Sequence, residues 1–200
     1  DTGLFDDDAY FDVFVEYAKA AADDILMLVT AHNRGAEAAK LSLLPQLCCR
    51  NTWSWQAGMP KPMLSAVAGG VNIEHPELGS YRLDCDGEGE GEGESDCAPG
   101  LLFCENETNA RRHFDQPEAT GFFKDAFHEL VVAGNTAAVN PAQSGTKAGA
   151  LYSLSVPAGG SVRVRLRLAP SSTGGKTAPP FADFDAIFAQ RRNEADQFYA

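Results

Sequence analysis

The chain has 200 residues, is 44% hydrophobic and carries a formal charge of −12. This length and composition suit a folded globular protein with a sizeable core, built as one large domain or one domain with an appendage. The acidic balance argues against nucleic-acid phosphate as a partner. No stretch approaches the roughly 20 consecutive apolar residues of a membrane span, and DTGLFDDDAYF lacks the basic and apolar regions of an export signal.

Much of the charge is local. Asp84, Asp86, Glu88, Glu90, Glu92, Glu94 and Asp96 supply seven of the 28 acids, and taking those seven from −12 leaves −5. The five cysteines cannot all pair within the chain. Cys48 and Cys49 are adjacent, and no spacing gives a CxxC or zinc pattern, so buried or incidental thiols in a reducing, cytoplasmic compartment are expected. The chain starts at Asp1 and soon enters strand-like sequence, which reads as a piece of a longer polypeptide.

Phe11, Val13, Val15 and Tyr17 alternate with Asp12 and Glu16, predicting a half-buried strand with the first set on the core face. After a turn at Ala22 to Asp24, Ile25 to Ala31 forms its antiparallel partner, closed by Asn33, Arg34 and Gly35. AAKLSLLPQLCCR resumes as a strand in which Pro45 marks an edge or bulge. Gly79 to Cys85, Leu101 to Glu105 and Phe127 to Val132 are further strand candidates.

KAGALYSLSVPAGGSVRVRLRLA predicts a hairpin turning at Pro157 to Gly160. Val162, Val164, Leu166 and Leu168 would face the core, with Arg163, Arg165 and Arg167 in water. After Pro180 the period lengthens. Phe181, Phe184, Phe188, Arg191, Ala195 and Phe198 recur at three and four residues, as on a helix with one apolar stripe that needs a partner surface, and Asp183 stands at its N-terminus. The pattern as a whole is mainly β: an antiparallel β-sandwich followed by a C-terminal linker helix.

Chemistry-bearing motifs are few. DCDGEGEGEGESD starts like an EF-hand loop at Asp84, Asp86, Glu88 and Gly89, but Ser95 stands where the bidentate Glu belongs, so a solvated hairpin tip is the better reading. Glu105 and Glu107, two residues apart after an apolar strand, do not face each other across a substrate as a glycosidic acid and base must. Asn106-Glu107-Thr108 is formally a glycosylation sequon. His32, His75, His113 and His128 show no catalytic or metal-binding spacing, and no P-loop or GxGxxG occurs. Neither a cofactor nor a metal is expected.

RNTWSW is the most suggestive stretch. On an extended segment Trp53 and Trp55 would face the same way about 7 Å apart, forming one apolar platform beside Arg50 and Asn51. Such a platform suits a sugar ring, and equally a domain interface or core packing.

Taken in order, DTGLFDDDAYFDVFVEYAKA, HNRGAEAAKLSLLPQL, RNTWSW, HPELGSYRL, LLFCENETN, NPAQSGTKAGA and FAQRRNEADQFYA resemble the N-terminal region of bacterial glucosidase-like proteins of glycoside hydrolase family 63. The resemblance implies a supersandwich-type β-sandwich at residues 1–175 with part of the parent domain missing, and at 176–200 the start of a helical linker to an (α/α)6 toroid. It also implies inverting hydrolysis of α-glycosidic bonds by carboxylates in that toroid, so this chain holds no catalytic residue. Oligosaccharide or glycoside would be met through the parent enzyme, with no nucleic acid and no membrane as partners. The candidate substrate-facing residues are Arg50, Asn51, Trp53, Trp55, Glu105 and Asn106. An independent carbohydrate-binding module or a structural interaction module is the competing expectation. Two departures stand out: Cys48 and Cys49 occupy positions where relatives favour aromatic residues, and the Gly-Glu run is expanded.

Overall fold

The computed structural model describes residues 9–87, 98–171 and 179–200, with the backbone alone at 90, 91, 94 and 95. In chain order its strands begin with β1 (Phe11–Ala21), β2 (Asp24–Asn33), β3 (Ala39–Leu43), β4 (Gln46–Cys48), β5 (Met63–Val67), β6 (Gly70–His75) and β7 (Gly79–Cys85). Then come β8 (Glu90–Gly91), β9 (Glu94–Ser95), β10 (Gly100–Cys104), helices α1 (Ala110–His113) and α2 (Ala126–Ala133), β11 (Ser144–Gly145), β12 (Lys147–Val156), β13 (Ser161–Pro170) and α3 (Phe184–Tyr199). The chain is therefore mainly β, with antiparallel sheets of the sandwich-like class and a C-terminal helix. Two compact units divide it, one of Asp1–Leu41, Arg82–Pro99 and Ser153–Ala200, the other of Ser42–Tyr81 and Gly100–Tyr152.

In the first unit β1, β2 and β13 lie side by side, with Val15 opposite Val29 and Val29 opposite Val164. One face of β2 and β13 buries Val29, Ala31, Val162, Val164 and Leu166. The other face buries Leu26 and Leu28, which with Ala18 of β1 take up Phe184 and Phe188 of α3. Asn33 ends β2 by sending its buried amide to the carbonyls of Glu37 at 2.8 Å and Val156 at 3.0 Å, while its oxygen receives Gly35 N–H at 2.9 Å. This Asx-type geometry fixes the turn expected from Asn33, Arg34 and Gly35.

Four expectations change here. β1 is an edge strand, so Val13, Val15 and Tyr17 stand exposed at 46%, 50% and 67% instead of lining the core. β12 and β13 do not pair as a hairpin, since β12 belongs to the sheet of β10 and β3, and β13 lies between β2 and β7. The turn at Pro157 to Gly160 therefore passes the chain from one sheet to the other. The arginine face of β13 is covered as well: Arg167 is buried, with Nε and Nη2 donating to Asp24 at 2.8 and 2.7 Å. Arg165 donates to Asp86 at 2.7 Å and lies over the rings of Phe181 and Phe184. Helix α3 makes that face an interior. Finally, the Gly-Glu run is not only a solvated tip, because Glu90–Gly91 pairs with β13 and Glu94–Ser95 with β12. Residues 88, 89, 92, 93, 96 and 97 lie outside the described residues.

In the second unit β6, β5 and β11 form one ladder, and β10 and β4 flank β12. Phe127 to Val132, expected as a strand, is helical within α2. The β-branched pair Val131 and Val132 suggests a strand, but Gly134 adopts φ 69° and caps a helix through Gly134 N–H to Leu130 and Asn135 N–H to Glu129, each at 3.0 Å. Phe127 and Ala126 bury against Cys104, Leu44 and Leu102, and this packing outweighs the β preference.

Gly145 sits so close to β10 that an added Cβ would strike the Cys104 carbonyl oxygen and lie 2.9 Å from its carbon. A backbone carbonyl cannot yield as a side chain can. Gly145→Ala is expected to cost about 3 kcal/mol, read as a lowered urea midpoint; an unchanged midpoint would contradict this packing.

Candidate functional site

The site lies in the second unit, where residues 49–61 between β4 and β5 meet residues 105–109 after β10. The two segments are joined first through main chain. Cys49 N–H donates to Thr146 O at 3.0 Å, and Asn106 Nδ2 donates to Cys49 O at 2.9 Å. Asn51 Nδ2 donates to Asn106 O at 3.2 Å, and its oxygen receives Ser54 N–H at 3.2 Å. Thr146 is buried; its hydroxyl accepts Asn106 N–H and donates to Glu105 Oε2, both at 2.8 Å. A glycan on Asn106 would replace one of the two Nδ2 hydrogens of the amide that holds the Cys49 carbonyl, so the sequon is part of the loop's framework.

A charged clamp closes the other end. Lys61 Nζ lies 2.8 Å from Glu107 Oε1 and 3.3 Å from Glu105 Oε2, while Trp53 Nε1 donates to Glu107 Oε1 at 2.9 Å. The Lys61 ammonium also sits 5.6 Å from the Trp53 ring centre. Partial burial disfavours the Glu107 charge, but the hydrogen bonds from Lys61 and Trp53 prevail and hold its pKa below the ordinary carboxylate value. Burial likewise disfavours the Lys61 charge, and the two carboxylates reverse that effect and raise its pKa.

These shifts set the sign of a pH effect. The Glu107 contribution is fully present above its unfolded value near 4.5 and is lost as pH falls through the lower folded value. The Lys61 contribution is present below its unfolded value near 10.5 and is lost as pH rises through the higher folded value. Lys61→Met is therefore expected to flatten the acid limb of a stability profile below about pH 4.5. An acid limb identical to that of the native chain would remove Lys61 from the clamp.

Trp53 and Trp55 do not form the expected platform. Thr52 N–H bonds to Arg50 O and Trp55 N–H to Thr52 O, so the segment turns instead of running extended. Trp53 turns inward and is 8% exposed, while Trp55 is 65% exposed with the Arg50 guanidinium 5.3 Å from its ring centre. The structure brings Arg50, Asn51, Trp53, Trp55, Glu105 and Asn106 into one region but divides them. Asn51, Trp53, Glu105 and Asn106 hold the loop, and Arg50 and Trp55 face outward. Glu105 and Glu107 share one lysine, a geometry that fixes a loop and leaves no acid and base poised across a substrate.

Next to this loop lies a cleft of about 260 Å³ lined by Asn109, Arg111, Phe123, Asp125, Glu129 and Asn135. Arg112 Nη1 reaches Glu129 at 3.2 Å and Asp125 at 3.5 Å, and Asn109 Nδ2 donates to Asp125 Oδ2 at 3.0 Å. The Arg111 guanidinium covers the Phe123 ring at 5.3 Å. Paired polar groups over an aromatic floor suit a hydroxyl-bearing ligand. Sequence reasoning missed Lys61, Thr146 and this cleft: a single Lys or Thr carries no local signal, and only the fold sets Asp125 and Glu129 beside Asn109.

Among the described residues no group of His, Cys, Asp and Glu could hold a metal ion, and no helix is long and apolar enough to cross a membrane. Cys48, Cys49, Cys85 and Cys104 are free thiols. Burial pushes Cys85 and Cys104 up to about 12 and Cys49 up to about 11.

No family model matches the chain. The chain is 34% identical over 220 aligned residues to the uncharacterized protein YMR196W of Saccharomyces cerevisiae, a match that takes in 96% of this chain and 20% of the yeast protein. The chain thus spans about one fifth of that relative's length.

Proposed function

We propose that the chain is the non-catalytic β-sandwich domain of an inverting α-glycosidase of the glycoside hydrolase family 63 type. In this reading it supports and partly walls a sugar site whose acid and base carboxylates belong to an (α/α)6 domain of the same polypeptide. The observation that carries the proposal is the division of labour at residues 50–61. A buried framework around Trp53, Glu107 and Lys61 fixes the loop base, and Trp55 with Arg50 is left outward as an aromatic and hydrogen-bonding surface. An indole that is 65% exposed leaves apolar area in water, a cost that ligand contact or domain contact recovers. The family itself rests on the ordered sequence strings. The inert, buried thiols fit a reducing cytoplasm.

Trp55→Ala in the full-length enzyme is expected to raise KM several-fold with little change in kcat, because uniform binding is lost. Unchanged KM together with an unchanged melting temperature would overturn the wall. An immunoblot of source cells should show a band several times larger than 21.4 kDa. The exposure of Trp55 also favours a second reading, an independent carbohydrate-binding module, for which titrating this chain with an α-linked glucose disaccharide would quench tryptophan fluorescence saturably. The domain reading expects no quenching from the chain alone.

A further inference from the structure

The outer edge of β1 supports an inference independent of the sugar-site proposal. Tyr10 O accepts Arg34 N–H at 2.9 Å, and Asn33 N–H turns away to Gly160 O at 3.0 Å. In an antiparallel ladder hydrogen-bonded and non-bonded pairs alternate. The even-numbered residues of β1 therefore bond to β2, and Phe11, Val13, Val15, Tyr17 and Lys19 direct their N–H and C=O groups to the outer edge. Among the described residues no strand pairs there.

The devices that normally protect an edge are sparse on β1. It runs for 11 residues without proline, its bulge is confined to Lys19–Ala21, and its lysine lies near that same end. Side chains at Val13, Val15 and Tyr17 add an uncharged exposed row on one face, and Phe14 is 52% exposed on the other. The strand's carboxylates are already matched, Asp12 to Arg34 at 2.6 Å and Glu16 to Arg192 at 2.7 Å. Neither carboxylate of this strand awaits a partner of opposite sign.

We propose that this edge pairs with the same edge of a second copy, antiparallel, about a two-fold axis through Val15. Charge selects the register. An axis through Phe14 would set Asp12 against Glu16 of the other copy, and an axis through Glu16 would set the two Glu16 residues together; like charges directly opposite are unfavourable. The Val15 axis sets Val15 on Val15, Val13 on Tyr17, Asp12 on Ala18 and Phe14 on Glu16. An axis through Tyr17 also avoids like-charge pairs over an equal overlap, but it draws the Lys19–Ala21 bulge into the ladder, which the Val15 axis leaves at its end. A two-fold contact of this kind closes on itself and leaves neither β1 edge for a third copy.

Sedimentation velocity of the chain from micromolar to several hundred micromolar is expected to show a dimer growing with concentration. Val15→Lys should remove the dimer while leaving the thermal melt unchanged, and so should Val15→Glu. An equimolar mixture of the two variants should restore it, because Lys and Glu then face each other at the axis. A native chain that stays monomeric throughout would overturn the proposal; if its Val13, Val15 and Tyr17 amides were also protected from hydrogen exchange, a segment of the same chain would occupy the edge. A dimer indifferent to Val15→Lys, or a mixture that fails to restore pairing, would overturn the register.

Discussion

Arg167→Met is expected to destabilise the first unit by about 3–5 kcal/mol, the range for breaking a buried ion pair from one side. Arg167 and Asp24 are each 7% exposed and meet through two parallel hydrogen bonds. The third nitrogen, Nη1, donates to Asp183 at 2.6 Å and to Pro180 O at 2.8 Å, where the chain enters α3. Asp183 holds the N-cap position without capping, because its carboxylate is turned to the guanidinium. Methionine would fill the space but leave the Asp24 carboxylate buried without its guanidinium, and would free the start of α3. Asp24→Asn added to Arg167→Met should recover part of the loss, since a neutral amide is cheaper to bury than an anion. Urea unfolding followed by circular dichroism measures both. A loss below about 1 kcal/mol would mean that Phe184 and Phe188 alone hold α3 in place.

That network also shows what the sequence could and could not carry. The period of two in β1 and β13 correctly marks strands with two distinct faces. It does not say which face another element covers. Arg163, Arg165 and Arg167 read as a wet face because nothing near them in sequence is apolar enough to cover them; the cover comes from Phe181, Phe184 and Phe188, brought back by the chain's last turn. Conversely, Val13, Val15 and Tyr17 read as core, and only the edge position of β1 exposes them. The stripe of α3 is divided in the same way: Phe184 and Phe188 are buried on β1 and β2, while Phe198 is 81% exposed. In α2 the local preference of Val131 and Val132 lost to the Gly134 cap and the burial of Phe127. The candidate site was legible as two polar segments rich in hydrogen-bonding groups, and the fold joins them. Lys61 and Thr146, which tie Glu105 from 44 and 41 residues away, had no sequence signal.

Trp53→Ala is expected to cost about 3–5 kcal/mol, the range for truncating a large buried side chain, whereas Trp55→Ala, two residues on, should stay within about 0.5 kcal/mol. The contrast follows from which way each indole turns. Trp53 fills the loop base and donates to Glu107, so its removal opens a cavity and takes from that carboxylate one of the two hydrogen bonds holding its pKa down. Trp53→Phe separates the two effects. The ring is kept and the N–H is lost, so the cost should fall to about 1–3 kcal/mol, and the acid limb should move up toward the ordinary value of 4.5 as Glu107 takes its proton more readily. Urea unfolding of each variant at pH 7 and pH 4 tests this, with Trp55 fluorescence as the reporter in the Trp53 variants and Trp53 fluorescence in Trp55→Ala. If Trp53→Ala and Trp55→Ala proved equally mild, the loop would not be anchored at Trp53, and the outward presentation of Trp55 and Arg50 would lose its physical basis. If the contrast holds and Trp55→Ala alone weakens the proposed sugar handling of the full-length protein, the loop works as a fixed base with a free aromatic face.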